Sequence, residues 1–395
     1  MNDSTFDYII VGAGTAGCLL ANRLSADASK RVLLIEAGKR DDYHWIHIPV
    51  GYLYCIGNPR TDWLYETEAA AGLNGRTLRY PRGKVLGGCS SINGMIYMRG
   101  QSRDYNQWAA ITDDPQWRWD QCLPYFKFHE DHHQGATETH GANGVPAALL
   151  NPQAHQDAAS AEYFRVLKAR KAGGEWRIEK QRLSWGVLDA FAQAAQQAGV
   201  PASADFNQGN NEGVGYFEVN QKSGWRWNTA QAFLRPTCYA RPNFELWTQA
   251  QVARLVIETD ADGGKRCTGV KVWDGHQLVT ATATREVALS AGSIGSAQIL
   301  QLSGIGAANS LKQNGVEVMH DLPGVGANLQ DHLQIRSVYK VKHAKTLNTL
   351  ANSWWGKAKI GLEYAMSRSG PMSMAPSQLG AFAKSRPDLA TADLE

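Results

Sequence analysis

The sequence lacks several features that would assign it to a specialised class of protein. It has six cysteines but no CxxC pair, and their scattered positions predict free thiols in a reducing compartment rather than a disulfide framework. No apolar run approaches the roughly 20 residues of a membrane helix. No basic stretch precedes an apolar segment near the N-terminus, as a secretory signal requires. We therefore expect a cytoplasmic protein without a transmembrane segment.

An excess of charge of one sign is also missing. The 395 residues include 40 basic and 37 acidic side chains, which gives a formal net charge of +3. This balance argues against a nucleic-acid partner, because such proteins carry a clustered basic excess. Hydrophobic residues make up 43% and charged residues 19% of the chain, as in ordinary globular proteins. The length allows two or three domains.

The first forty residues contain the pattern on which the rest of the interpretation depends. A buried strand is predicted over 6–11, followed by a glycine-rich turn, a helix, and a second strand over 32–35 that ends in Glu36. This is the order of elements in a dinucleotide-binding unit.

Each residue type in this pattern has a physical role. Gly12 permits the tight turn, Gly14 lets a pyrophosphate approach the backbone, and Gly17 lets the helix pack close to the strand. The helix N-terminus attracts the phosphates. Glu36 accepts hydrogen bonds from the ribose of an adenosine and repels a 2′-phosphate, so NADP is not the expected ligand.

A second glycine-rich stretch occurs at residues 80–105. Gly87 and Gly88 are followed by Cys89, two serines and Asn93, which brings backbone N–H groups and small side chains together. Such a loop can form a nest for a phosphate or a polarised ring carbonyl. From composition alone, an ordinary tight turn before a helix is an equal alternative.

Residues 83–105 of this stretch resemble the first signature of the glucose–methanol–choline (GMC) oxidoreductase family of FAD enzymes. Residues 292–306 resemble the second signature, and residues 323–332 resemble a further stretch of these enzymes. Cys89 and Ala297 are mild departures from the usual residues. The positions that match the first signature are Gly83, Lys84, Gly87, Gly88, Ser90, Ile92, Asn93 and Gly100.

The resemblance implies an α/β fold: an FAD-binding, Rossmann-like doubly wound domain with a second, antiparallel-sheet substrate domain that is incomplete. We expect the FAD-binding domain at 1–155 and 224–332, a substrate-side segment at 156–223 and the substrate domain at 333–395. The cofactor that the resemblance implies is FAD.

The predicted FAD-binding residues combine the glycine pattern with positions carried over from the family. Ile92 stands where some choline-oxidising relatives link the flavin to a histidine, so the FAD is expected to be bound non-covalently. The predicted contacts are Gly12, Gly14, Thr15, Ala16, Gly17, Glu36, Ala37, Gly38, Val85, Gly88, Asn93, Gly94, Met95, Ile96, Val252, Ala291 and Gly292.

The activity implied by the resemblance is oxidation of the CH–OH group of a primary alcohol, of the choline, aliphatic or aromatic type, with hydride transfer to flavin N5. The family's catalytic histidine is expected beyond Glu395, so no catalytic residue is assigned and slow turnover is expected of this chain. A hydroxynitrile lyase and a non-catalytic FAD-binding fragment are the alternatives. The electron acceptor, whether a quinone, a dye or oxygen, stays open.

One motif indicates a different chemistry, that of a zinc enzyme. His129 to His133 fits HExxH, the zinc-protease pattern. The segment closes a polar helix, so we expect a solvated helix end and no metal. The coarse pattern also predicts a loop over 45–54, a helix over 185–199, a strand over 338–341 and a helix over 347–366.

Overall fold

The structure, a computed structural model, describes residues 4–142, 144–151, 164–165, 167–168, 173–332 and 334–395. The strands of these residues are β1 (Ser4–Val11), β2 (Val32–Glu36), β3 (Tyr65–Glu66), β4 (Arg79–Tyr80), β5 (Glu130–His132), β6 (Trp176–Lys180), β7 (Gly213–Tyr216), β8 (Glu218–Val219), β9 (Gln221–Lys222), β10 (Trp225–Arg226), β11 (Phe244–Thr248), β12 (Gln251–Thr259), β13 (Lys265–Trp273), β14 (Leu278–Leu289), β15 (Ile305–Gly306), β16 (His320–Asp321) and β17 (Leu379–Phe382). The α-helices are α1 (Thr15–Leu24), α2 (His44–His47), α3 (Tyr52–Cys55), α4 (Ser102–Thr112), α5 (Trp119–His129), α6 (Gly186–Gln197), α7 (Gly292–Leu302), α8 (Ala308–Gln313), α9 (Leu347–Leu350) and α10 (Trp354–Ser367).

The chain divides into two compact units. Unit 1 contains residues 1–46, 53–93 and 228–340, and unit 2 contains residues 47–52, 94–227 and 341–395. These limits follow packing, whereas the limits expected from the sequence at residues 155, 223 and 332 describe functional domains and stay a prediction. The expected boundary at 155 lies outside the described residues.

Unit 1 is built on a six-stranded sheet in the order β11-β2-β1-β14-β13-β12. β1 pairs in parallel with both β2 and β14, and β11 pairs in parallel with β2. β13 joins the sheet through antiparallel pairing on both sides. Every residue of β2 is buried, as expected for a parallel strand covered on both faces. The mixed α/β class predicted from the sequence is therefore confirmed.

The turn after β1 brings backbone segments into unusually close contact. Gly12 has φ +95°, a conformation that favours glycine. A Cβ added to Gly17 would lie 1.9 Å from the carbonyl oxygen of Gly12, so α1 packs directly against the end of β1. The Ser290 hydroxyl lies 3.0 Å from the carbonyl oxygens of Val11 and Gly12, which ties the end of β14 to the same turn.

Unit 2 contains smaller sheets. β5 pairs in parallel with β6, which pairs antiparallel with β8, and β7 pairs antiparallel with β17. Phe206, Phe217 and Phe382 form one apolar cluster of this unit. No helix of the described residues has the length and apolar character that crossing a bilayer requires.

The expectation of a solvated helix end at 129–133 is wrong. Helix α5 ends at His129, and Glu130 begins strand β5 with its side chain buried, as is that of His132. Burial is tolerated because both side chains have hydrogen-bonding partners, as buried polar groups require. His129 and His133 therefore do not share a helix face, and the zinc-protease arrangement does not form.

Three further local expectations need correction. The predicted strand at 338–341 is absent from the described structure, where Val338 is 93% exposed, because an extended segment without a pairing partner is not stable as a strand. The predicted loop at 45–54 instead contains parts of two short helices, α2 and α3, and the 347–366 helix is divided into α9 and α10. The helix expected over 185–199 is confirmed as α6.

The close contact at Gly17 gives a stability prediction. Gly17→Ala should lower the free energy of unfolding by about 3 kcal/mol, because the added methyl group cannot fit without moving backbone. Gly361→Ala is the matched control, since a Cβ there meets nothing within 4 Å inside α10, and it should raise that free energy by about 0.5–1 kcal/mol. Urea denaturation of both variants measures the difference, and equal effects would contradict the packing argument.

Candidate cofactor site

A cavity of about 550 Å³ in unit 1 lies where three parallel strands end. Its lining includes the last residues of these strands: Val11 of β1, Ile35 and Glu36 of β2, and Leu289 of β14. Gly12, which follows β1, also lines it. Ligands of open α/β sheets bind outside the carboxyl ends of the strands. The cavity is therefore in the position expected for a cofactor of this fold.

The N-terminus of α1 faces the cavity. Gly14, Thr15 and Ala16 line it, and α1 has neither a side-chain cap at its N-terminus nor an acidic residue in its first turn. A Cβ on Gly14 would find its nearest neighbour, the carbonyl oxygen of Ser290, only at 4.0 Å. The space beside Gly14 thus belongs to the cavity, as an approaching pyrophosphate requires.

A second helix also begins at this cavity. Gly292, Ser293 and Ile294 open α7 and line the wall, and α7 likewise has no side-chain cap and no acidic residue in its first turn. Two helix N-termini therefore present backbone N–H groups and partial positive charge to one space. The sequence predicted only Ala291 and Gly292 here. The available signal for Ser293 and Ile294 was a glycine, Gly292, that lies between a strand and an apolar helical run.

The Glu36 carboxylate is fixed by backbone groups. Its Oε2 accepts a hydrogen bond from the Ala13 N–H at 2.9 Å, and its Oε1 accepts one from the Gly38 N–H at 2.8 Å. Burial raises the pKa of Glu36 to about 7, although these two N–H groups and Lys84 act to lower it. Each carboxylate oxygen keeps a second acceptor position, so the group can still accept from a ligand hydroxyl.

Hydrogen bonds fix the loop at 86–91 internally, to Asn228 and to the turn that precedes α1. The Gly87 N–H donates to the Ala13 carbonyl at 2.8 Å, and the Ser91 hydroxyl donates to the Leu86 carbonyl at 2.7 Å. The Asn228 amide donates to Ser91 Oγ at 2.9 Å. A Cβ on Gly88 would lie 2.8 Å from Cα of Gly14, so the two glycine-rich segments touch through their backbones.

Most of the residues predicted from the sequence line this cavity. Gly17 and Gly38 instead pack against backbone, since a Cβ on Gly38 would lie 2.1 Å from the Lys84 carbonyl oxygen. Val85 is buried, and Asn93 is exposed. Gly94, Met95 and Ile96 belong to unit 2. The predicted residues that line the cavity are Gly12, Gly14, Thr15, Ala16, Glu36, Ala37, Gly88, Val252, Ala291 and Gly292.

An aromatic wall was missed. Trp63 and Tyr65 line the cavity with their rings stacked at a centroid distance of 5.7 Å, and Lys84 Nζ lies 4.5 Å from the Trp63 ring centroid. From the sequence we predict only a short strand over 63–67 here, with none of its residues as a cofactor contact. Arg82 and Cys89 complete this side and were not predicted either.

The sheet order, the glycine turn and the acid at the end of β2 define an α/β dinucleotide-binding protein. The family model of the GMC oxidoreductases matches residues 6–334. The chain belongs to this family, which confirms the resemblance stated from its signatures.

Known proteins similar to this chain have oxidoreductase names. An alcohol dehydrogenase [acceptor] of Pseudomonas putida is 37% identical over 97% of this chain and 63% of its own length. An oxygen-dependent choline dehydrogenase of Vibrio vulnificus is 38% identical over 97% of this chain and 62% of its own length. The solved structure of an FAD-dependent oxidoreductase from Chaetomium thermophilum aligns with a TM-score of 0.76 and 27% identity, over 95% of this chain and 61% of that one. The chain thus spans about three fifths of the length of the relatives it matches.

The raised pKa of Glu36 predicts a pH dependence of stability. A carboxyl group whose folded-state pKa of about 7 exceeds its usual value of 4.5 binds more protons in the folded state. In the ligand-free protein, its contribution to the free energy of unfolding should therefore fall as the pH rises through this window, by at most about 1.4 kcal/mol per pH unit.

Urea denaturation at several pH values checks this expectation. Glu36→Gln should remove the fall, whereas Glu258→Gln, at an exposed position of β12, should keep it. A difference between wild type and Glu36→Gln that does not change with pH would contradict the assignment.

Proposed function

We propose that unit 1 binds FAD in the described cavity and that the chain supplies the cofactor-binding part of an enzyme that oxidises primary alcohols. The observation that carries the proposal is the meeting of two uncapped helix N-termini with the Glu36 carboxylate at one cavity. This combination suits a ligand that has both a pyrophosphate and a ribose. Membership of the GMC family and the FAD named in a structural relative support the choice of FAD.

The residues of this chain have distinct roles in holding the cofactor. The first turns of α1 and α7 present N–H groups to the phosphates, and Glu36 accepts from the ribose hydroxyls. Val252, the second residue of β12, lines the cavity and is the proposed backbone contact of the adenine. Ile92 has no nucleophile and is buried among Ile46, Cys55 and Val85, so the flavin is held non-covalently.

The alcohol half of the proposal depends on the relatives. When bound, the flavin accepts a hydride from the carbon of the substrate alcohol. The curated relatives are named for choline and for alcohols, which supports a small CH–OH substrate of that kind. Their names differ in the electron acceptor, one stating oxygen and the other an unspecified acceptor, so the acceptor is left open.

Binding of FAD to variants tests the cofactor half. Glu36→Arg should weaken FAD at least tenfold, since hydrogen bonds to a charged group contribute about 1.5–3 kcal/mol each. Gly14→Ala should fold normally, because its Cβ meets no protein atom closer than 4.0 Å, yet bind FAD weakly because the methyl group enters the phosphate space. Glu258→Arg is the control for the change of charge and should bind FAD like the wild type.

Equilibrium titration followed by flavin fluorescence gives the affinities, with NADP as the comparison ligand. Acid precipitation of the loaded protein should release all flavin into the supernatant. A well-folded wild-type protein that ignores FAD, or that prefers NADP, would refute the cofactor assignment.

Anaerobic mixing of the FAD-loaded chain with choline or benzyl alcohol tests the alcohol half. Bleaching of the flavin absorbance, followed by stopped flow, supports alcohol oxidation. Release of cyanide from a cyanohydrin without bleaching identifies a hydroxynitrile lyase instead. No response to either substrate would mean that these 395 residues bind the cofactor without catalysing either reaction. The slow turnover expected from the sequence predicts at most weak bleaching. If bleaching is fast, His332, which is exposed, is the first residue to replace.

A further inference from the structure

A cluster of buried and partly buried ionisable side chains in unit 2 has no part in the function proposed above. It includes the second half of the HExxH-like motif, which the zinc-protease interpretation does not explain. Three imidazoles, three carboxylates and one guanidinium group belong to it. The members are Arg99, Glu130, His132, His133, His140, Asp205 and Glu218.

Two adjacent histidines converge on one carboxylate. Neighbouring side chains of a continuous strand point to opposite faces, but β5 ends at His132 and the chain turns at His133. As a result, Nε2 of His132 lies 3.1 Å from both carboxylate oxygens of Glu218, and Nε2 of His133 lies 2.8 Å from Oε1. One ligand atom from each of the three residues lies within 4.8 Å of the others.

A second set of ligand atoms shares Glu218. The His140 ring stacks on the His132 ring with centroids 3.8 Å apart. Nε2 of His140 lies 2.9 Å from Oδ2 of Asp205, and its Nδ1 lies 3.1 Å from Oε2 of Glu130. The second ring nitrogen of a metal-binding histidine commonly donates to a carboxylate, a backbone carbonyl or a water molecule. His140, Asp205 and Glu218 also place ligand atoms within 4.8 Å of one another.

The carboxylates of this cluster outnumber its permanent cations. Among its members, three carboxylates face a single permanent cation, Arg99, which pairs with Glu130. Buried charges are paired or coordinate a metal. A bound cation would add positive charge beside Asp205 and Glu218.

We propose that His132, His133 and Glu218 bind a divalent transition metal, and that zinc is the ion they suit best. Two imidazoles and one carboxylate form an established zinc donor set. With metal–ligand bonds of about 2.0–2.2 Å, tetrahedral ligand atoms are separated by roughly 3.3–3.5 Å, so the observed 2.8–3.1 Å contacts need only a small expansion.

The site would join elements that are separate in the sequence. His132 ends β5 and Glu218 begins β8, which both pair with β6 in the three-stranded sheet of unit 2. One contact must loosen on binding, because the Gln134 N–H points at Nδ1 of His132 from 3.4 Å. That separation is beyond the usual range of hydrogen bonds, so its loss is a small obstacle.

Zinc titration of the full chain after treatment with a chelator tests the proposal. The wild type should bind one zinc ion per chain and become more resistant to heat when it does. His133→Gln should weaken binding at least tenfold; its side chain is partly exposed, so the variant should still fold. His276→Gln, in the exposed turn between β13 and β14, is the matched control and should bind zinc like the wild type.

Two further measurements separate coordination from other causes. Cobalt(II) should give a visible absorption band with the wild type that Glu218→Gln and His133→Gln both lose. If the wild type binds no more zinc than His133→Gln, the cluster is a network of protons and hydrogen bonds, and the proposal is overturned. Equal loss in His276→Gln would show adventitious surface binding and overturn it as well.

Discussion

The cofactor cavity depends on backbone segments that approach one another without side chains between them. Gly12, Gly17 and Ser290 are in contact at the ends of β1 and β14. Gly88 contacts Gly14 at the N-terminus of α1. These contacts fix where α1, α7 and the 86–91 loop begin. The cavity is the space left between α1, α7 and this loop, which these backbone contacts keep from packing closer together. Its walls are therefore set by main-chain geometry, and its polarity by the N–H groups that this geometry leaves uncapped.

The local parts of this arrangement could be predicted from the sequence. Gly12, Gly14 and Gly17 each follow from a steric requirement that can be stated for a turn between strand and helix. The role of Glu36 follows from its place at the end of β2. The aromatic wall of Trp63 and Tyr65 could not be predicted, because a short aromatic strand is compatible with many kinds of packing. Its contribution to the cavity depends on where a separate part of unit 1 is placed.

The largest error concerned the 129–133 segment, and it has a physical origin. A run of histidines and acids looks solvated when each residue is considered alone, because isolated charges are costly to bury. Here the partners come from distant positions in the sequence. Arg99 pairs with Glu130, and the Glu218 carboxylate pairs with the imidazoles of His132 and His133. Pairings over such sequence separations are not visible in local composition. The same reasoning applies to the 338–341 segment, whose strand-like pattern has no partner in the described structure.

The parallel pairing of β1 with β14 has a consequence for biosynthesis. Val11 is paired with Leu289, so the neighbour of β1 on one side is translated about 280 residues later. At about 5–20 residues per second, that is a delay of roughly 15–55 seconds. During this time β1 can pair with β2, but the other edge of this apolar strand stays open to the wrong partner. The six-stranded sheet of unit 1 therefore cannot be completed until residues 278–289 have been synthesised.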